Sequence, residues 1–230
     1  MKKINDISLI KYYVNTYNLF NYLNNDLLNC LELHEFSKDE FLCTLNSKLS
    51  YMYFLVEGKY KVTTLLSNGK SLLLCFNTPL SIIGDIELIE NPYVDCNVQA
   101  LESCICLALP LSKIKQYGYN DVLFLKFIIS SLQKKLRHNS AYMSINILSP
   151  IKNRFASYLI SSLPSRDSKP AIVDIDGVNN LADLLGSSYR HLNRVIKELS
   201  DEKIIKKTKN SIQILNIDSL KNLAKDEYVY

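Results

Sequence analysis

Much of what a secreted, membrane-bound or catalytic chain requires is missing from these 230 residues. No apolar run approaches the roughly 20 residues that cross a bilayer. The opening stretch, MKKINDISLIKYYV, begins with two lysines but has no uninterrupted apolar core of signal-peptide length. A cytoplasmic protein is therefore expected. The six cysteines, at 30, 43, 75, 96, 104 and 106, form no CxxC pair. Most sit in apolar runs such as LLLCF and ESCICLALP, the habit of small buried hydrophobes in a reducing compartment. Cys104 and Cys106 share a strand face, but an i, i+2 pair without further ligands is not a metal site. Histidine is limited to His34, His138 and His191. That leaves the barrel of a cupin-like metal enzyme without its set of two or three histidines and a carboxylate. No Ser-His-Asp arrangement and no glycine-rich phosphate loop is present. Internal repeats and low-complexity linkers are absent too. No enzyme, metal or cofactor is expected.

Two further absences are local. Between Leu80 and Ser103 there is no lysine or arginine, against Asp85, Glu87, Glu90, Asp95 and Glu102. Every arginine lies beyond residue 136. Ten basic residues face twelve acidic ones up to residue 118, four face one over 119–149, and thirteen face ten beyond. Groups suited to phosphate contact thus concentrate in the rear half. With 47% hydrophobic and 22% charged residues, the chain reads as globular and long enough for two domains.

The hydrophobic period changes along the chain. Residues 6–30 carry apolar positions at helical spacing and suggest one or two short helices. From Leu31 onward, LELHEFS, EFLCTL, YMYFLVEG, KYKVTTLLS, KSLLLCF, LSIIGDIELI, CNVQALE and SCICLALP read as short strands of an antiparallel barrel or jelly roll. Glu57-Gly58 and Asn68-Gly69 are hairpin turns by composition, the second of type I′. Asp121 to Leu148 reads as one helix of about 40 Å. Val122, Leu125, Ile129, Leu132, Leu136 and Met143 form an a/d-like seam on it, interrupted at Asn139. A seam of this length usually meets a second copy of itself, although Phe124, Phe127 and Ile128 leave a face for its own barrel. Ser149-Pro150 reads as a cap and first residue for a helix over 151–163, stopped by Pro164. AIVDI is a short strand, IIKKT and SIQIL a lysine-rich hairpin about Lys209-Asn210, and DSLKNLAKD a last helix. The expected domains are a β-barrel sensor at 1–118, a dimerisation helix at 119–149 and a winged helix-turn-helix at 150–230, an α+β chain.

The most constrained stretch is Gly177 to Ile205. Leu181, Ala182 and Leu185 put small and aliphatic groups on one side of a first helix. Gly186 supplies the left-handed residue that ends it, and Ser187 and Ser188 can cap the next. In that second helix Leu192, Val195, Ile196 and Leu199 make a buried stripe at i, i+3, i+4 and i+7. Arg190, Asn193, Arg194 and Lys197 occupy the opposite face, chemistry suited to a DNA major groove. An ordinary amphipathic hairpin fits the short motif equally well; the surrounding chain favours DNA.

The order of parts resembles the Crp/Fnr family of bacterial transcription regulators over essentially the whole chain. FLVEGKYKV is similar to the family's first barrel hairpin and GDIELIE to its Gly-Glu-x-x-Leu turn. LADLLGSSYRHLNRVIKELSDEKII matches its DNA-binding signature, and SYRHLNRVIKEL looks most like the YeiL-like branch. The resemblance implies a homodimer whose recognition helix, about 188–199, enters the major groove of a palindromic double-stranded operator, with RNA polymerase as a further partner. It places base-reading roles on Tyr189, Arg190 and Arg194, beside Ser188, Asn193 and Lys197, with Lys206 and Lys207 in the wing. Arg194 matches the family's arginine. Arg190 stands where many members have glutamate, and Tyr189 where they often have arginine, so a different half-site is expected. It places an effector pocket about Gly84, Asp85, Glu87, Asp95 and Cys96. There Asp85 replaces the family's glutamate, and Tyr93-Val94-Asp95-Cys96 stands in place of its phosphate-holding Arg-Ser pair. A phosphate would meet uncompensated negative charge, so cyclic AMP is not expected. An iron–sulfur cluster is not expected either, since only Cys30 and Cys43 lie near the front. His34 alone is a poor case for haem. The effector, if any, is unidentified. Two other readings weigh less: a dimeric interaction module whose winged helix binds protein, and the cupin-like metal enzyme.

Overall fold

A computed structural model describes residues 1–89, 93–164 and 170–224, with the backbone alone over 141–147. The alternating segments fold into strands β1 (Lys2–Ile4), β2 (Glu32–Phe36), β3 (Phe41–Cys43), β4 (Tyr51–Glu57), β5 (Tyr60–Leu65), β6 (Ser71–Asn77), β7 (Ser81–Ile83), β8 (Asn97–Ala100) and β9 (Cys104–Pro110). They form a five-stranded sheet, β1-β2-β9-β4-β7, and a four-stranded one, β3-β8-β5-β6. This is the two-sheet, jelly-roll form of the expected fold. LSIIGDIELI is strand only over β7, and its rear half is a 3-10 turn at Ile86–Leu88. Glu57-Gly58 is a turn but not the tip of a hairpin, because β4 pairs with β7 and β9 whereas β5 lies in the other sheet. Gly58 has φ +91°, and a Cβ there would run into the Ser103 carbonyl oxygen.

Close contacts group the chain into two compact units, residues 1–61 with 77–138 and residues 62–76 with 139–230. In the first, α1 (Ile7–Thr16), a 3-10 turn at Leu19–Asn21, α2 (Asn25–Leu28) and α3 (Leu111–Tyr117) accompany the sheets. The long helix is α4 (Val122–Leu148). Asp121 starts it by accepting from the Leu123 and Phe124 amides. Phe54 pairs with Leu107 across β4 and β9, and both are fully buried. The Phe54 ring lies 6.2 Å from that of Phe127 on α4, nearly parallel to it. Phe124 and Ile128 are buried as well, so α4 packs one face on its own sheet. The expected seam is exposed in part: Val122, Ile129 and Leu136 remain 62%, 63% and 70% exposed, whereas Leu125 and Leu132 are half-buried. Met143 falls among residues 141–147, whose side chains lie outside the described set.

In the second unit α5 (Ile151–Ser161), β10 (Ile172–Asp174), α6 (Gly177–Leu184), α7 (Tyr189–Asp201), β11 (Ile205–Lys207), β12 (Ser211–Ile214) and α8 (Ile217–Leu223) follow in order. The wing has three strands, β10-β12-β11, rather than two. Helix α5 begins at Ile151 as expected, but Pro150 is its cap rather than its first residue, the Pro150 carbonyl accepting from the Asn153 and Arg154 amides. Phe155, Leu159, Leu181, Leu192, Leu199 and Leu220 form the innermost core. The turn between β5 and β6 is not type I′. Only Gly69 has positive φ, +80°, the pattern of a type I turn closed by a left-handed glycine. Asn68 instead accepts from the Lys70 amide with its side chain. Among the described residues no helix is long and apolar enough to cross a membrane.

Candidate functional site

The helix pair at 177–205 is built as its sequence dictates. Gly186 adopts φ +57° between α6 and α7. Ser188 caps α7, its hydroxyl accepting from the His191 amide at 3.2 Å. Leu192, Val195, Ile196 and Leu199 are all buried. On the far side Ser188, Tyr189, Arg190, Arg194 and Lys197 are exposed and Asn193 is half-buried. Lys206 and Lys207 are exposed on β11. All eight predicted contact residues are thus available to a partner, on one helix and the adjoining strand.

Two residues that sequence reasoning missed shape this face from behind. Lys152 on α5 donates to Glu198 at 2.7 Å and to Glu202 at 3.2 Å. Hydrogen bonding to Glu198 is the main reason its ammonium pKa is raised. The pairing folds the flanking carboxylates of α7 back toward α5 and leaves Arg190, Arg194 and Lys197 to set the sign of the outer face. Arg154 holds the turn itself, donating through Nη1 to the Leu185 carbonyl and through Nε to that of Ser149. A basic residue on the first helix of such a domain is easily taken for a phosphate contact, and nothing in its local spacing says otherwise.

The second candidate site surrounds Gly84-Asp85. Gly84 has φ +97°, and a Cβ would sit 2.7 Å from Leu49 Cδ2, so the turn admits glycine on two counts. Asp85 is buried, yet it is not an uncompensated charge. Lys135, reaching across from α4, places Nζ 2.5 Å from Oδ1 and also donates to the Ile82 carbonyl at 2.8 Å. The Ser131 hydroxyl donates to Oδ2 at 2.9 Å, and the Ile86 amide to Oδ1 at 3.1 Å. The counter-charge comes from fifty positions away, outside the stretch from Leu80 to Ser103 that holds no lysine or arginine. Glu87 is half-buried, and desolvation is the main reason its pKa is raised. Cys96 is half-buried too, its thiol pushed up first by burial and then by Asp95 and Glu87. Asp95 is exposed. The structure therefore brings Asp85, Glu87 and Cys96 into the field of Lys135 and leaves Asp95 at the surface. Glu90 lies outside the described residues.

The other residues considered have structural surroundings. His34 is buried on β2, its Nε2 3.0 Å from Glu32 and its ring edge-on to Tyr51. Burial pushes the Cys43 and Cys104 thiols up to about 12. Among the described residues no group of three His, Cys, Asp or Glu side chains is placed to hold a metal ion.

Comparison with known proteins places both sites in context. Residues 33–118 match the cyclic nucleotide-binding domain family, and residues 153–223 the Crp-like helix-turn-helix domain family. Regulatory protein YeiL of Escherichia coli O157:H7 is 29% identical over 192 residues, covering 84% of this chain and 85% of that protein. Among solved structures, a Crp/Fnr-family regulator from Eubacterium rectale superposes with a TM-score of 0.76 at 15% identity, over 92% of this chain and all of that one. A CRP-family transcriptional regulator from Thermus thermophilus gives 0.67 at 20% identity over 85% and 98%. At these identities the structures attest the fold; the two domain matches and the YeiL relative carry the family.

Proposed function

We propose a mode of action from one premise: the chain belongs to the Crp/Fnr family of transcription regulators, with a cyclic nucleotide-binding-type sensor domain and a DNA-binding helix-turn-helix. It acts as a homodimer in the cytoplasm, each copy laying α7 in the major groove of one half of a palindromic operator. The single observation that carries this reading is the outer face of α7. Arg190, Arg194 and Lys197 are exposed there, while Glu198 and Glu202 are held by Lys152. The exposed seam of α4 supports pairing with a second copy, and half-sites centred roughly 34 Å apart fit a two-fold dimer. Arginine at 190 favours guanine O6 and N7 where a glutamate would select cytosine. RNA polymerase is the natural further partner of such a regulator. The role is binding and regulation rather than catalysis.

The sensor turn favours an effector other than a cyclic nucleotide. Asp85 is already neutralised by Lys135 and Ser131, so the cation nearest the turn is committed to its own chain. The test is in vitro selection of an operator, followed by binding of the Arg194→Ala variant. Loss of one bidentate base contact costs about 1–3 kcal/mol of discrimination. Unchanged affinity for the selected sequence would show that this face does not read bases.

A further inference from the structure

We infer that the flank of α4 carries a second binding site, for a small organic anion with an apolar body. A groove of about 450 Å³ runs beside the helix, within the 300–1,000 Å³ typical of small-molecule sites. Its floor is apolar, formed by Leu80, Ile82, Leu123 and Phe127. Tyr22 makes one wall, its ring stacked on that of Phe127 at 4.5 Å between centroids and 12° between planes. The rim is cationic. Lys126 and Lys134 are both exposed, both line the groove, and neither forms an ion pair among the described residues. Among the described residues no aspartate or glutamate lines it. With Ser130 between them, the two lysines share one stripe at i, i+4 and i+8 and span roughly 12 Å of helix. Two uncompensated ammonium groups over an apolar floor attract an anion and repel a cation. The floor, in turn, favours an apolar body over a bare inorganic ion.

A second copy of the chain does not cover this site. At about 100° per residue, the groove residues of α4 centre roughly 130° around the helix from Val122, Ile129 and Leu136. Pairing of two α4 seams therefore leaves the groove open. Ser131 gives the site a connection inward. It lines the groove, and its hydroxyl donates to Asp85 Oδ2 at 2.9 Å. A ligand seated here lies one hydrogen bond from the buried Asp85–Lys135 pair and touches the helix that carries the seam. Binding at this groove is the input that the sensor turn reads. That coupling, unlike the binding itself, rests on the regulator reading above.

The experiment titrates the full chain with anilinonaphthalene sulfonate, a fluorescent aromatic anion, and then displaces the probe with decanoate, decanol or inorganic phosphate. One saturable site per chain is expected, displaced by decanoate but poorly by neutral decanol or by phosphate. The double substitution Lys126→Gln and Lys134→Gln should weaken binding by about tenfold or more, each lost charge contact contributing a few-fold. Leu136→Gln, on the seam, should leave binding unchanged. No saturable site, equal binding by the lysine double variant, loss on Leu136→Gln, or equal competition by decanol each overturns the assignment. Operator affinity is then measured with and without decanoate. Binding without any change in operator affinity refutes the coupling alone. Failure to bind any operator either with or without ligand refutes the regulator reading and leaves the groove result standing.

Discussion

Replacing Lys135 by methionine removes the charge that neutralises Asp85 while keeping most of the side chain's apolar length. The Asp85 side chain has no solvent exposure, whereas that of Lys135 is 26% exposed. Stripping one partner from a buried ion pair costs about 3–5 kcal/mol, because the remaining charge stays buried without compensation. Two donors, Ser131 and the Ile86 amide, still reach the carboxylate, and Lys135 is partly hydrated. Both effects place the loss at the lower end, about 3 kcal/mol. For a chain of this size each kcal/mol moves the melting temperature by about 2–4 °C, so Lys135→Met should melt roughly 6–12 °C below the parent. The paired substitution Asp85→Asn with Lys135→Met is the internal control. It removes both charges, and replacing a buried ion pair by uncharged groups is often close to neutral, so most of the stability should return. Thermal unfolding followed by circular dichroism measures all three proteins. If the single and double variants fall by the same amount, the loss comes from packing of the lysine stem and the electrostatic account is wrong. If Lys135→Met melts with the parent, the ion pair contributes nothing to the folded state.

Two other predictions concern the interfaces. Changing Lys206 and Lys207 to glutamine should weaken selected and random duplexes in parallel and flatten the salt dependence of log K by up to about 2, since each phosphate contact contributes about 0.9 to the slope. Fluorescence anisotropy across a salt series measures this, and a loss confined to the selected operator would give these lysines to the bases. Ile129→Lys with Leu136→Lys should yield a monomer in sedimentation velocity, because burying each side chain contributes about 1.5–3 kcal/mol and a two-fold interface counts each twice. A dimer that persists at micromolar concentration would remove α4 as the interface.

The parts of this chain that were legible from sequence are those fixed by local constraint. Gly186 had to be left-handed, Ser188 had to cap, and four apolar residues at helical spacing had to face inward; each is as expected. The long helix, 27 residues in all, was legible for the same reason, since its apolar positions recur at helical spacing from Val122 to Leu136. What failed depended on partners distant in sequence. Composition marked Glu57-Gly58 as a turn, but which strand β4 pairs with is decided by β9 and β7, not by the turn. Asn68 carries the residue type of a I′ turn, yet its side chain takes the Lys70 amide and its backbone stays at negative φ. β1 has three residues and no alternation to read; it exists because the edge of β2 accepts it in register from Lys2 opposite Glu35 to Ile4 opposite Leu33. Nothing in the local spacing of Lys135 marks a partner fifty positions away. Only the fold places it against Asp85.

That last displacement explains how α4 can serve several purposes at once. A helix offers about 360° of surface, and three environments divide it between residues 122 and 136. Phe124, Ile128, Ser131 and Lys135 turn toward the sheet and the sensor turn; Val122, Ile129 and Leu136 turn outward; Lys126, Ser130 and Lys134 flank the groove. The inward face is held by charge as well as by packing, and the two differ in how they respond to change. An apolar contact is lost gradually as surfaces separate, in proportion to the area exposed. A buried ion pair tolerates little displacement, because a separated but still desolvated carboxylate is costly. Sliding or rotating α4 against the turn is therefore penalised steeply at Asp85, so that α4 favours discrete positions over a continuum. Such a helix is a better carrier of a regulatory signal than one held by leucines alone. A ligand that recruits the Ser131 hydroxyl away from Asp85 would shift the balance between those positions without entering the buried pair itself.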